Sequence, residues 1–426
     1  MAREMKDSGI EWIGKIPCNW VIRPLKGVTN RIIVGLATSV TQYYRDTGIP
    51  LLRNLNIKDD FLQDDDLLYL EEEWASLQTG KMINTGDILT VHTGYIGISC
   101  IVPEKYDKAL TFTTLISTPN IDIIEPRFLM RYINVSRFYS PVYFNVETGA
   151  QNNLNTKEFI NLEICVPCLK EQKWIVDFLD NKCSYIDSIM DKTRVSIEEY
   201  KKLKQAVITQ AVTKGIRPDR QMKHSGIEWI GEVPSEWEIS TIGREIQFEG
   251  GSQPPLFTFI HEPREGYVRL IQNRDYKTDD YITFVPQSSV FRFCDEKDVM
   301  IGRYGPPMFV MHRGLKGAYN VALMKAIPIN IDREWMSYVL QEYTLLRYVE
   351  SFSKRAAGQD GVNPKILKNY PLPLPPIEEQ KSIALYLEKK TKELDDMIRN
   401  KEHLIIELQE YKRSLIYEYV TGKKEA

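Results

Sequence analysis

The sequence predicts an α+β protein: two globular mixed α/β domains, each followed by a long helix, with the helices packed together as a coiled coil. Three observations predict it. An opening motif occurs twice, two long segments carry one apolar stripe in the same register, and strand-like segments fill matching places between them.

The repeat opens the chain. Ser-Gly-Ile-Glu-Trp-Ile-Gly follows Asp7 and recurs after His224, and Lys223 lies 217 residues beyond Lys6. Between the motifs and the long segments the two copies diverge. Segments 49–55 and 266–272 read as strands carrying Arg53 and Arg269 at matching places, and 86–94 and 297–305 as turn-then-strand units. Segments 126–138 and 333–349 read as short amphipathic helices. Polar loops at 149–157 and 358–365 close each unit, and proline-punctuated strands lead into the helices.

The helical segments run from Leu169 to Gly215 and from Pro376 to Thr421. Ile175, Leu179, Ile186, Ile189, Ile197, Tyr200, Leu203, Val207 and Ala211 are spaced by threes, fours and their sums. Ile383, Leu387, Leu394, Met397, Ile405, Leu408, Tyr411, Leu415 and Tyr419 repeat that stripe at an offset of 208 throughout. Roughly 43 residues of helix span roughly 60 Å, the length of a spacer or coiled coil. Ile175, Leu179, Ile186, Leu203 and Val207 are expected to pack against Ile383, Leu387, Leu394, Tyr411 and Leu415. The domains expected are a first globule at 1–169, a central spacer helix at 170–215, a second globule at 216–377 and a C-terminal spacer helix at 378–426.

At 426 residues the chain suits two or three domains, and 43% hydrophobic with 27% charged residues is globular composition. A net charge of −3 argues against a protein that wraps nucleic acid unaided. The six cysteines show no disulfide framework, the N-terminus reads as no signal peptide, and no apolar run approaches membrane length. The expectation is a cytoplasmic, reduced protein without a membrane segment.

No catalytic or metal motif emerges. A Gly-x-x-x-x-Gly-Lys-Ser/Thr loop, a Gly-x-Ser-x-Gly elbow and a His-Glu-x-x-His pair are all absent from the sequence. Cys165 and Cys168 form a lone Cys-x-x-Cys whose duplicate positions are Pro373 and Pro376, so no zinc is expected. Tyr304 to Phe309 has Gly305 where an amino-methyltransferase motif needs a side-chain oxygen, and reads as a turn. The Glu171 and Glu379 Glu-x-Lys triplets are ordinary acidic helix starts.

What remains is recognition chemistry. The first copy offers Gln42, Tyr43, Tyr44, Arg45, Arg53, Asn54, Asn56, His92, Thr93, Gln151, Asn152 and Asn153. The second offers Gln253, Arg269, Gln272, Asn273, Arg274, Arg303, Tyr304, Gln359 and Asp360. Arg suits guanine and phosphate, Asn and Gln suit adenine, and tyrosine packs on sugar or base.

With these parts assembled, the chain resembles the specificity subunits of type I restriction-modification enzymes over essentially its whole length. The duplicated Ser-Gly-Ile-Glu-Trp-Ile-Gly-x-x-Pro-x-x-Trp opening, the Gln/Asn-rich loop and the Pro373-to-Lys381 entry into a long helix carry the resemblance. The first copy departs at Val166–Gln172, which is poorer in proline.

The resemblance implies two target-recognition domains, each reading one half of a bipartite, asymmetric site in double-stranded DNA. The helices would form an antiparallel coiled coil with pseudo-twofold symmetry and act as a ruler. Two methyltransferase subunits would dock on the helices, with Glu171, Gln172, Glu379 and Gln380 as candidate contacts, and restriction/translocase subunits would join them. S-adenosylmethionine, ATP and Mg2+ would sit on those partners, with no cofactor on this chain and one copy of it in the hetero-oligomer. The rival readings are a non-catalytic coiled-coil scaffold whose globules bind proteins, and an enzyme in its own right, which the missing motifs disfavour.

Overall fold

A computed structural model describes residues 3–144, 153–304, 309–353, 361–362 and 364–425. The chain divides into two compact units. One comprises residues up to Thr193 together with those from His403, and the other runs from Arg194 to Glu402. The central helix, Leu169–Lys214, and the C-terminal helix, Ile377–Val420, therefore each contribute one part to each unit.

In the first unit an antiparallel sheet runs in the order Thr29–Val34, Thr114–Pro119, Ile88–Val91, Ser99–Ile101. In the second, Ile246–Gly250, Leu323–Pro328, Val299–Gly302 and Met311–His312 repeat it. Each unit adds a second sheet built on one parallel pair: Ile49–Leu52 beside Leu110–Thr111, and Tyr267–Ile271 beside Gly317–Tyr319. The outer strands differ. Tyr44–Arg45 extends the first unit's second sheet, and Phe293–Cys294 extends the other's from the opposite side.

These registers correct one sequence expectation. Leu51 faces Leu110 and Leu270 faces Ala318, so Leu51 and Leu270 are equivalent. The position matching Arg53 is then Gln272, at an offset of 219, and not Arg269. Arg53 and Gln272 both precede a short 3-10 turn, whereas Arg269 lies inside its strand. The expected single helix at 333–349 is also two, Arg333–Val339 and Tyr343–Ser353. The buried Glu342 interrupts it, because its carboxylate accepts from the Leu345 amide at 2.9 Å and so starts a new helix.

The duplicated ends brace each globule onto its helix. Trp20 is fully buried and its indole N–H donates to Glu171 at 3.2 Å; Trp237 does the same to Glu379 at 3.1 Å. Gln172 accepts from the Glu125 amide at 2.7 Å and donates to the Ile123 and Pro167 carbonyls at 2.9 Å. Gln380 accepts from the Asp332 amide at 2.7 Å and donates to the Pro375 carbonyl at 2.9 Å. Gln172, Gln380 and Glu379 are buried and spend their polar atoms internally, and Glu171 is tied to Trp20 and Arg3. The expectation that these four face a partner subunit is corrected: they hold helix to globule.

Within each unit the two helices run antiparallel. Phe178 meets Tyr419 and Asp187 meets Lys412 in one; Tyr200 meets Lys401 and Lys204 meets Asp395 in the other. Ile175, Leu179, Ile186, Ile383, Leu387, Leu394 and Leu415 are buried, and Val207 packs at the edge of a core. Leu203 and Tyr411 are not packed; they are 48% and 57% exposed. The cause is helical phase. Six residues past Ile197 the helix has turned about 600°, putting Leu203 about 120° off the seam, while Lys204 returns to within about 20°. Cys183, Met190 and Thr193 are buried instead on the central helix, as Thr391 and Ile398 are on the other.

Candidate nucleic-acid interface

In the first unit three separate segments converge where the two sheets meet. Strand Ile49–Leu52 ends at Arg53, and the turn Asn54–Asn56 follows. Strand Ile88–Val91 delivers His92 and Thr93, and the polar loop returns at Asn153. Asn54 donates to the Thr93 carbonyl at 3.0 Å, and the Thr93 hydroxyl donates to Asn153 at 2.8 Å. The Leu154 amide donates to the His92 carbonyl at 2.8 Å, which pins the loop to the strand end. Asn54 Oδ1 has no partner among the described residues. Tyr95, almost wholly exposed, stands two residues beyond Thr93.

The second unit builds the same corner from other side chains. Gln272 and Asn273 begin the turn, strand Val299–Gly302 delivers Arg303 and Tyr304, and Gly361 bridges back to Tyr304. The Val362 amide donates to the Arg303 carbonyl at 2.8 Å, repeating the Leu154–His92 bond. Asn273, equivalent to Asn54, pairs its Oδ1 with His312 Nε2 at 2.7 Å, and the His312 ring stacks on Tyr276 with centroids 4.4 Å apart. Burial lowers the pKa of both His92 and His312, the latter helped by Lys277, so neutral imidazoles are favoured. Gly302 lets the Asn273 amide lie close, since a Cβ there would press on it.

The other expected recognition residues differ in their surroundings. Asn56 is fully buried; it accepts from the Arg53 amide and donates to the Gln63 and Asp65 carbonyls, so it braces the turn and is unavailable to a ligand. Tyr43 and Tyr44 belong to a small apolar cluster, with Tyr43 stacked on Trp74 at 4.2 Å. Each basic residue has an internal partner: Arg45 binds Glu71, Arg53 the Asp66 carbonyl, Arg269 Asp279 and Arg303 the Val321 carbonyl. Arg274 is exposed and lies over Tyr281. Gln42 and Gln253 are exposed. Gln151, Asn152, Gln359, Asp360 and most of the 304–309 turn lie outside the described residues.

Sequence reasoning missed His312 and Tyr276. A signal existed: His312 is one of only five histidines and lies just beyond the strand that carries Arg303. Cys165 is buried and Cys168 exposed, so that Cys-x-x-Cys does not present two thiols together. Among the described residues no group of His, Cys, Asp or Glu could hold a metal ion, and no helix is long and apolar enough to cross a membrane.

Comparison with known proteins agrees with this architecture. The chain is 26% identical over 428 residues to a Methanocaldococcus jannaschii protein assigned as the type I restriction enzyme MjaX specificity subunit, covering 96% of this chain and 95% of that protein. It is 23% identical over 400 residues to the Escherichia coli K12 type I restriction enzyme EcoKI specificity subunit, covering 88% of this chain and 83% of that one. A solved structure described under complex assembly and conformational transition of the type I R-M system shares the fold. Its TM-score is 0.70 at 18% identity, over 96% of this chain and 99% of that chain. The family model described as "Type I restriction modification DNA specificity domain" matches residues 17–199 and again 234–409. With that double match spanning most of its length, the chain belongs to the type I restriction-modification DNA specificity family.

Proposed function

We propose that this chain is the non-catalytic, sequence-reading subunit of a type I restriction-modification complex, and that its two units read different halves of one asymmetric bipartite site in double-stranded DNA. One observation carries the reading. Two copies of a single frame present unlike polar corners at the same place: Asn54, Thr93 and Asn153 in one, Gln272, Asn273, Arg303 and His312 in the other. Amide and guanidinium groups of this kind distinguish bases by paired donors and acceptors. The frame repeats and the corners do not, so the two half-sites should differ in sequence. The paired helices serve as the ruler between half-sites, supported by their shared 208-residue register and their antiparallel packing inside each unit. Two methyltransferase subunits carrying S-adenosylmethionine dock on the helices and modify adenine. Restriction/translocase subunits using ATP and Mg2+ join through them. Those partners supply many phosphate contacts, which suits a chain of net charge −3.

The test is a segment exchange. Residues 21–150 are replaced by the corresponding segment of another family member, and methylated adenines are mapped in DNA from cells expressing the chimera with its methyltransferase. One half-site should change while the other half-site and the gap stay the same. An assembly that binds and modifies all duplexes alike would overturn the reading. Adding one or two helical turns after Ile197 should alter the gap alone.

A further inference from the structure

The opening motif ends differently in the two units. In the first, Trp12 is enclosed by aromatic rings. Tyr139 stacks parallel to it, Tyr132 meets it edge-on, and Tyr417 lies 6.3 Å away with its hydroxyl donating to the Trp12 carbonyl at 2.9 Å. The equivalent indole in the second unit is Trp229, 217 residues on. Thr209 stands where Tyr417 would be, 208 residues earlier, and Val339 stands for Tyr132. Thr209 turns its hydroxyl away to the buried Glu342, at 2.9 Å. An open cleft of about 860 Å3 results, with Trp229, Thr209, Thr213 and Tyr343 around it. Tyr343 is 55% exposed there, and most of the cleft surface is apolar.

The rim is basic. Lys202 and Lys214 are exposed and unpaired among the described residues, and Lys201, paired with Glu198, lines the cleft with them. The first unit has Glu410 at the position of Lys202, so the positive rim is peculiar to the second.

We propose that this cleft is a docking site for an aromatic side chain flanked by carboxylates, presented by one methyltransferase subunit. The proposal rests on the recruitment reading above. The first unit supplies the template: there the chain fills the same place beside the tryptophan with its own Tyr417, so the vacant place fits a ring of that size. The lysines select acidic flanks. Large apolar clefts edged by charge are where a few buried anchors carry most of an interface's affinity. The two methyltransferase positions on this chain are therefore unlike: one carries an anchor cleft and the other is closed.

Two variants test it on the full chain. Thr209→Tyr fills the cleft as the first unit does, and Lys202→Glu/Lys214→Glu reverses its rim without touching packed residues. Native mass spectrometry and titration count the methyltransferase copies held. Wild type should hold two, and each variant should bind the second copy at least about tenfold more weakly while the first is unaffected. If Thr209→Tyr does not fold, the lysine variant decides alone. A wild type that holds two copies, with both variants also holding two at unchanged affinity, overturns the cleft and leaves recruitment intact; a wild type that holds none overturns both. Dimers of this chain that Thr209→Tyr abolishes, or DNA binding by the chain alone that the lysine variant weakens, would also overturn the proposal by assigning the cleft to another occupant.

Discussion

The segment that follows the first strand of the main sheet takes opposite courses in the two units. Gly35 and Gly251 start it alike, each crossing so close to the end of a neighbouring strand that a Cβ would strike backbone oxygens. In the first unit the next residues turn inward: Leu36 and Val40 are buried, and Tyr43 lies on Trp74. In the second the segment turns outward through the short Leu256–Thr258 turn, leaving Leu256 74% and Phe257 88% exposed. Behind both, the frame does not change: the same strand order in the main sheet, the same Trp-to-Glu brace, the same amide bond from the closing loop. The parts that tie sheet, closing loop and helix together repeat, while the segment that leaves the sheet edge differs. A reading head can thus change what it presents without changing how it stands.

The comparison breaks first if the frame is not equivalent. Trp20→Ala and Trp237→Ala each remove a fully buried indole and one of the donors to Glu171 or Glu379, leaving Arg3 or Arg220 as the other. Each should cost about 3–5 kcal/mol, read from urea unfolding, and the two losses should agree within about 1 kcal/mol. A frame that tolerated one and not the other would not be a repeated frame.

The tips should show the opposite. Tyr43→Ala should cost about 1–2 kcal/mol, because it removes a stacked, half-buried ring. Phe257→Ser removes an exposed ring and should leave unfolding within about 0.5 kcal/mol of wild type. Equal losses would mean that Phe257 packs in solution, and the inward–outward contrast would fail.

Acid sharpens the contrast between the corners. His92 and His312 both have pKa values lowered by burial, so folding favours their neutral rings. The unfolded chain takes up protons first, near an imidazole pKa of about 6.5, so stability is complete above that pH and declines as pH falls below it. His312 should feel this more, since the like charge of Lys277 adds to its burial, whereas a backbone hydrogen bond at Leu154 opposes the effect of burial on His92. Thermal unfolding between pH 7.5 and 5.5 should fall less steeply in His312→Gln than in wild type, with a smaller change in His92→Gln.

How much of this was legible in the sequence depends on the range of the interaction. The long helices could be read because their period is local. The braces could not, although both ends of each lie in well-preserved repeats, because Glu171, Gln172, Glu379 and Gln380 pass for partner contacts until their burial and bonds are known. Arg53 and Arg269 were mismatched because the offset drifts in between. It is 216 at Gly35/Gly251, 219 at Asn54/Asn273, 211 at Val91/Gly302 and 208 at Leu154/Val362. Loops absorb such insertions at little cost, so only cross-strand pairing recovers the alignment. Asn56 looked like a reader because an amide that braces a turn and an amide that reads a base are the same residue until burial is known. Leu203 and Tyr411 fit a threes-and-fours pattern but fall out of phase after two successive steps of three, an error of angle that a list of spacings hides.

The seam of the helices offers the smallest and most symmetrical test. Asp187 with Lys412 and Lys204 with Asp395 are one ion pair written twice, since each partner recurs 208 residues on. The lysines are 23% and the aspartates 44% exposed in both, and each lysine reaches both carboxylate oxygens, at 2.9 Å in the first unit and 2.7 Å in the second. Solvent this close screens the attraction, so each pair should contribute only about 0–1 kcal/mol. A double-mutant cycle on each, with Lys→Gln and Asp→Asn, should return coupling energies of that size that agree within about 0.3 kcal/mol and shrink together as salt is raised. A coupling near 1 kcal/mol in one pair and none in the other would show that the two units do not hold their helices in the same way, however alike their sequences run.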